Sequence, residues 1–208
     1  MTSNLFKYAG IAAGIVLIAI GIGSIVTGAS GRGTVHDNLG LEQITGSPDM
    51  NPKAITAEAR AAGLKGVALP TCSVANQPVN TGGEAKCFAS YIRIHALEAT
   101  GGRTYSQMGQ YLTAAGKETS DKAAAAIDPK TGKPVPNAAR NIWVTATALT
   151  TALNTSYFAE SVALFAIVMG VALLLIGIGL VVLSVWWLRE PGTAVQPTPT
   201  VAPKPVVA

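Results

Sequence analysis

The distribution of apolar and polar residues along the chain is dominated by one apolar run near the C-terminus. Residues 161–188 contain no charged side chain. At about 1.5 Å per residue, a helix of this length exceeds the roughly 30 Å of a bilayer's hydrocarbon core. The run closes with Trp186, Trp187 and Arg189, residue types that favour the membrane–water interface. The pattern predicts a transmembrane helix over residues 161–188.

A second apolar run lies near the N-terminus, after a short polar start at residues 1–7. Residues 8–27 are uncharged and long enough to span a bilayer as a helix. The alternative is a cleaved signal peptide, because Thr27, Gly28 and Ala29 form an acceptable small-residue cleavage site. The apolar segment of a signal peptide is typically about 7–15 residues long, shorter than this run. We therefore predict a retained transmembrane helix over residues 8–28.

Small residues recur every seven positions in both runs, at Gly14, Gly21, Gly28, Gly170, Gly177 and Ser184. Because lipid provides little hydrophobic drive for helix association, small residues matter by letting backbones approach closely. A seven-residue spacing favours a left-handed crossing near +20°. The pairs predicted to face each other in an antiparallel arrangement are Gly14 with Ser184, Gly21 with Gly177, and Gly28 with Gly170. The alternative is that glycine is simply common in membrane helices.

Residues 29–160 lie between the two runs and are numerous enough to form a small domain. Residues 30–33 are predicted to be a flexible exit from the first helix, and residues 47–49 a turn. Asn51 as a cap followed by Pro52 predicts a helix over residues 52–62, and apolar spacing predicts one over 84–99. A capping box of Thr104 and Gln107 predicts a helix over about 105–115, and a short helical turn is predicted over 122–127.

From residue 138 onward the pattern is helical again and reaches the second apolar run without a glycine or proline before Gly170. One continuous helix over about 138–188 is therefore predicted. The tail over residues 189–208 is rich in proline and is predicted to be disordered and cytoplasmic. The predicted fold class is an all-α membrane protein, a two-helix transmembrane hairpin with a mostly helical extracytoplasmic domain between the spans.

Composition supports a membrane protein and excludes a nucleic-acid partner. Charged residues make up 12% of the chain, against about 25% in average soluble domains. The net charge of +4 is not concentrated in the Lys/Arg clusters that nucleic-acid binding requires. The predicted partners are the lipid bilayer and other membrane-protein subunits or a second copy of the chain.

The two cysteines, Cys72 and Cys87, indicate which side of the membrane the central region occupies. A disulfide between them would persist outside the cytoplasm, whereas two buried free thiols are the alternative. The central loop exceeds about 60 residues, so its charges do not report orientation. We predict a multi-pass plasma-membrane protein with a Cys72–Cys87 disulfide, an extracytoplasmic loop and both termini in the cytoplasm.

No motif in the chain predicts a catalytic, metal-binding or cofactor-binding site. His95 shares an apolar helix face with Tyr91, which is typical of a core or interface histidine. With Arg93, these two residues are the candidate ligand site if the chain has one. His36 stands near the end of the first span and has no second ligand nearby. Neither span contains an ionisable residue, which disfavours a transport pathway.

Three segments resemble a family of uncharacterised actinobacterial two-span membrane proteins. They are GSPDMNP at 46–52, CFASYIRIHALEATGG at 87–102 and NIWVTATALTTALNTSYFAE at 141–160. The resemblance covers nearly the whole chain except the tail, and it implies a location in the cell envelope without an established activity. Members are often labelled automatically as the small subunit of an aromatic ring-opening dioxygenase. An iron site of His36, His95 and one carboxylate is geometrically possible, but the spacing of these residues does not support it.

These patterns together predict a non-enzymatic membrane protein of structural or accessory-subunit type. It would pack through its small-residue stripes and carry an extracytoplasmic interaction domain. The alternative is an extracytoplasmic ligand-binding protein or enzyme with a site around His95.

Overall fold

The computed structural model of the chain describes the backbone of residues 2–189 and the side chains of residues 8–186. The described part is mostly helical, with α1 at Thr2–Leu41, α2 at Pro52–Ala61, α3 at Gly82–Ala99 and α4 at Ala138–Arg189. Two short antiparallel strands, β1 at Tyr111–Leu112 and β2 at Glu118–Thr119, lie between α3 and α4. Arg189, the first residue of the predicted Pro-rich tail, is the last residue of α4, and residues 190–208 fall outside the described part of the chain.

Two of these helices are long and apolar enough to span a membrane, over Tyr8–Leu41 and Ala138–Trp186. The described residues divide into two compact units. One contains the part of α1 up to Gly23 and the part of α4 from Gly170, and the other is Ser24–Met169.

In the first unit, glycines bring the backbones of α1 and α4 into direct contact. A methyl group added at Gly14 would lie 2.7 Å from the carbonyl oxygen of Gly177, and one at Gly21 would lie 2.7 Å from that of Gly170. These distances are too short for a real side chain, so the packing requires glycine. The register differs from the predicted one, because Gly10 rather than Gly14 lies against Ser184. Gly14 lies against Gly177 and Gly21 against Gly170, so the small residues meet one seven-residue repeat away from the predicted pairs.

In the second unit, α1 continues through residues 30–33 to Leu41, and the predicted flexible exit there is wrong. Contacts with α4 stabilise this part of the helix. Arg32 donates from Nε and Nη2 to Oε1 of Glu160 at 3.2 Å, and a methyl group at Gly31 would make ordinary contact with Ala163 at 3.4 Å. Tertiary packing therefore overrides the weak helix propensity of the Gly-Arg-Gly segment.

The Glu160 carboxylate joins three helices. Its Oε1 accepts hydrogen bonds from Arg32 of α1, and its Oε2 accepts one from the backbone N–H of Gly82 at 2.6 Å. Gly82 is the first residue of α3, where the free N–H groups and the helix dipole favour a negative charge. One carboxylate on α4 thus fixes the start of α3 and the end of α1.

The continuous helix predicted from residue 138 is confirmed by α4. Asn137 caps it, because its Oδ1 accepts a hydrogen bond from Ala139 N at 3.1 Å. The predicted Asn51 cap of α2 is also confirmed, since Asn51 Oδ1 accepts a hydrogen bond from Ala54 N at 3.0 Å. The third helix begins two residues earlier than predicted, where Thr81 and Glu84 form a capping box.

The core of the second unit forms where α2 and α3 pack with α1, α4 and the coil between residues 72 and 81. Ile55, Val79 and Tyr91 are completely buried. Cys72 and Cys87 form the predicted disulfide, which ties the coil to α3. The hydroxyl of Tyr91 donates a hydrogen bond to the carbonyl oxygen of Cys72 at 2.5 Å, next to that disulfide.

The predicted helix over residues 105–115 is wrong. The chain makes a single 3-10 turn at Tyr105–Gln107 and then enters the hairpin of β1 and β2. Gly116, with φ of 75°, makes the reversal, and Thr113 N donates to Lys117 O across it at 2.8 Å. The predicted helical turn over residues 122–127 is also absent from the described chain, which follows bends and turns there.

An ion pair between Arg103 and Glu118 holds this hairpin against the end of α3. The guanidinium donates from Nη1 to Oε2 at 2.6 Å and from Nη2 to Oε1 at 2.9 Å. Glu118 also accepts a hydrogen bond from Gly109 N at 3.2 Å. The hydrogen bonds from Arg103 are the main reason that the pKa of Glu118 lies below its ordinary value of 4.5.

This lowered pKa predicts a loss of stability in acid. A carboxyl group whose pKa is lower in the folded than in the unfolded state stabilises the fold above its unfolded pKa. That contribution disappears as the pH falls through the folded pKa, so we expect stability to decrease below about pH 4.5. Glu118→Gln should lower the melting temperature at pH 7, and this difference from the wild type should shrink towards pH 3.

The matched control is Asp37→Asn, which neutralises an exposed carboxylate 3.9 Å from His36. It should leave the melting temperature nearly unchanged at both pH values. Thermal denaturation followed by circular dichroism in detergent measures all three proteins. An effect of Glu118→Gln that is equally large at pH 7 and pH 3 would contradict the proposed role of the ionised carboxylate.

Candidate functional site

Three side chains with metal-ligating atoms converge in the second unit, each from a different element. Asp49 lies in a turn closed by a hydrogen bond from Met50 N to Ser47 O at 3.0 Å. Glu58 lies on α2 and His95 on α3. The apolar contact of Ile55 and Ala59 of α2 with the core sets α2 against α3. This packing brings a carboxylate from each of two elements to the same imidazole.

The distances in this cluster are specific. His95 Nε2 lies 3.3 Å from Glu58 Oε2 and 3.5 Å from Asp49 Oδ2. The ligand atoms of the three residues all lie within 4.8 Å of one another, and no other group of three or more such residues occurs in the described part of the chain. The donor set is one imidazole nitrogen and two carboxylate oxygens.

Two atoms of the cluster are buried without a hydrogen bond. Neither His95 Nε2 nor Glu58 Oε2 has a hydrogen-bonding partner among the described residues, although both atoms are inaccessible to solvent. Their separation qualifies as an ion pair but not as an aligned hydrogen bond. Buried polar atoms are normally satisfied, so an unpaired donor and acceptor that face each other mark an unusual site.

The Asp49 carboxyl group favours its ionised form. A hydrogen bond from the Ser47 side chain makes the largest contribution to lowering the pKa of Asp49 below its ordinary value of 3.8. A hydrogen bond from the backbone N–H of Asp49 and the electrostatic interaction with His95 act in the same direction, while partial burial opposes them. At neutral pH the cluster therefore presents a carboxylate from Asp49.

A groove of about 560 Å³ lies beside His95, between α3 and α4. Its lining is mostly apolar and includes Ile92, His95 and Ala99 of α3, together with Ile142, Thr145 and Leu149 of α4. The predicted ligand site around His95 therefore has an open cavity next to it. The size of the groove is within the range of small-molecule sites.

The three residues proposed from the sequence as a ligand site have different partners in the structure. Tyr91 lies in the core and is bonded to the Cys72 carbonyl. The guanidinium of Arg93 lies over the ring of Trp143 on α4, 5.5 Å from its centroid. Only His95 of the three belongs to the cluster with Asp49 and Glu58.

The two carboxylates of the cluster, Asp49 and Glu58, were not predicted from the sequence. Asp49 precedes the Asn51-capped helix that was correctly predicted, and Glu58 belongs to it. Each is more than 35 residues from His95 along the chain. His36, the other histidine, is exposed on α1 beside Asp37 and is not part of the cluster. Nothing in the local spacing predicts which carboxylates a distant histidine will meet.

No protein-family model matches this chain, and no curated protein or solved structure is detectably similar to it. The resemblance to actinobacterial two-span membrane proteins therefore stays a prediction.

Proposed function

We propose that the chain is a plasma-membrane protein with two transmembrane helices, formed by α1 and α4. The observation that carries this proposal is the exposure of their apolar side chains. In the most apolar 18-residue segment of each helix, only 11% is buried within the protein. The apolar residues of a core helix in a soluble protein would be covered. Ile15, Phe165 and Leu175 are each more than half exposed. A bilayer is the environment in which this surface is stable.

The disulfide supports an orientation with the central region outside the cytoplasm. Disulfides persist in oxidising compartments and are reduced in the cytosol. Cys72 and Cys87 both belong to the unit Ser24–Met169. We therefore propose that the region between the two apolar segments is extracytoplasmic and that both termini are cytoplasmic. The hairpin topology in the membrane follows from this orientation.

The role that we propose is that of a structural or accessory subunit. The glycines at positions 14, 21, 170 and 177 pack the two apolar helices of this chain tightly against each other. On the N-terminal side of the uncharged residues 161–188, α4 also exposes Ile142, Val144 and Leu149. Ile142 and Leu149 line the groove beside α3. Exposed apolar side chains on a domain in water are typical of a protein–protein contact.

Labelling of engineered cysteines in intact cells tests the orientation. A membrane-impermeant maleimide should label Lys130→Cys, in the exposed turn of the central unit, without lysis. It should label Ser3→Cys only after the membrane is opened. Non-reducing electrophoresis checks that the native disulfide is intact in both variants. The reverse labelling pattern would overturn the proposed topology.

Site-specific photo-crosslinking in intact membranes tests the accessory role. A photoreactive residue at Ile142, in the groove, should give a defined crosslinked product that mass spectrometry identifies. The same residue at Lys130 is the control and should not give that product. A chain that crosslinks to nothing from Ile142 and remains monomeric in mild detergent would count against a partner.

A second candidate function is an extracytoplasmic ligand-binding protein or enzyme with its site at His95. The observation that favours it is the position of His95 between two carboxylates and at the edge of the groove. Substitution of His95 by alanine should abolish ligand-induced stabilisation while the disulfide and the helical content remain. A small-molecule screen by thermal shift, with wild type and variant compared throughout, measures this.

A further inference from the structure

We propose that Asp49, Glu58 and His95 bind one divalent transition-metal ion, with Zn²⁺ as the best fit. The proposal depends neither on the orientation in the membrane nor on the accessory role. It starts from the convergence of three potential ligands from a turn and two helices. Because the turn, α2 and α3 contribute one ligand each, the ion would link three elements of the domain.

The distances from His95 Nε2 to the two carboxylate oxygens are those of an ion pair, and they also fit two pairs of ligands around a tetrahedral metal. Zinc binds imidazole nitrogen and carboxylate oxygen at roughly 2.0–2.2 Å, so two ligands of a tetrahedral site are about 3.4 Å apart. His95 Nε2 lies 3.3 and 3.5 Å from its two carboxylate oxygens. A charge-assisted hydrogen bond would instead bring these atoms to about 2.7–2.9 Å.

The burial of two of these atoms without a hydrogen bond is a second indication. His95 Nε2 and Glu58 Oε2 are buried and lack a hydrogen-bonding partner within the described chain. Leaving such atoms unpaired is unfavourable. A cation between them would satisfy both at once, with His95 neutral and the two carboxylates ionised. It would also remove the repulsion between the carboxylates of Asp49 and Glu58.

The ligand types select the class of metal. Imidazole nitrogen suits zinc and its neighbours among the transition metals, whereas Mg²⁺ and Ca²⁺ prefer sites built entirely from oxygen. Three protein ligands leave one position of a tetrahedral ion for water or another small ligand, as in catalytic rather than structural zinc sites. His95 also lines the groove between α3 and α4, whereas Asp49 and Glu58 do not.

Zinc titration of the full-length protein in detergent tests the proposal. The protein carries a tag without histidine, is stripped with a chelator, and competes with a chromophoric indicator for Zn²⁺. We expect one Zn²⁺ per chain and a higher melting temperature on binding. Excess Mg²⁺ or Ca²⁺ should not displace the zinc. Glu58→Gln and His95→Ala should each weaken zinc binding by about 100-fold or more. Losing a residue that only orients a metal ligand costs about 10- to 100-fold, and losing a ligand itself should cost at least as much.

His36→Ala is the matched control, because it removes a histidine that also lies beside an aspartate but is exposed. It should bind zinc like the wild type. Glu58→Gln keeps the size of the side chain, and its melting temperature without metal shows whether it folds. The proposal is overturned if the wild type binds no zinc, or if His95→Ala and His36→Ala bind it equally well. If the three residues stabilise the protein without binding zinc, the cluster is an ion pair and the proposal is overturned.

Discussion

Replacing both Cys72 and Cys87 by serine should lower the free energy of unfolding of the central unit by about 3 kcal/mol. The bridge joins residues 15 positions apart. Removing it increases the conformational entropy of the unfolded chain, because the loop is no longer closed. The coil that it holds has little regular structure of its own. For a chain of this size the melting temperature should fall by roughly 6–12 °C.

Thermal unfolding with and without reductant measures this effect. The chain contains only these two cysteines, so a reductant has a single target. Reduced wild type should melt at the temperature of the double serine variant, and reductant should not shift the variant itself. If the variant melts with the oxidised wild type, then Tyr91 and the apolar core hold the coil without help from the bridge.

The parts of the fold that could be predicted are those in which local signals and packing agree. Asn51 followed by Pro52 specifies the start of a helix by itself, and the structure starts α2 there. The uninterrupted pattern from residue 138 likewise gave the correct extent of α4 within the described residues. The pairing of the disulfide could be predicted because the chain contains only two cysteines.

The errors have a different origin, since distant contacts decide those segments. Thr104 and Gln107 form the hydrogen bond that a helix start would show, at 2.7 Å between Thr104 N and Gln107 Oε1. The chain nevertheless leaves the helix after one turn, because Glu118 pairs with Arg103 and draws the following residues into the hairpin. At residues 30–33 the reverse happens, and Glu160 of α4 supports a helix that the glycines alone would not sustain.

The candidate site was predictable only as far as one residue. Its histidine could be singled out because histidines are few in this chain, but its partners depend on how α2 packs on α3. Asp49 and Glu58 are ordinary surface residue types, and their meeting with His95 is a property of the tertiary structure. The same packing separates Tyr91, which faces the core, from Arg93, which lies over Trp143.

Gly21→Ala should destabilise the packing of the two apolar helices by about 1–3 kcal/mol, the usual cost of adding a methyl group to a tightly packed core. The added methyl group would lie 2.7 Å from the carbonyl oxygen of Gly170 and 2.8 Å from the backbone nitrogen of Leu174. Both neighbours are backbone atoms of α4, so they cannot rotate away as a side chain could. The helices must separate, and they lose dispersion contacts along the interface.

Gly23→Ala provides the matched control two residues further along the same helix. No described atom lies within 4 Å of a methyl group at this position, so nothing opposes the substitution. Alanine is favoured over glycine within a helix by about 1 kcal/mol, and the control should be neutral or slightly stabilising. Denaturation in mixed micelles, followed by helical content, compares the two variants with the wild type. Because both changes add the same atoms to the same helix, opposite signs isolate the contact with α4. Equal effects would show that the two helices do not depend on this close approach.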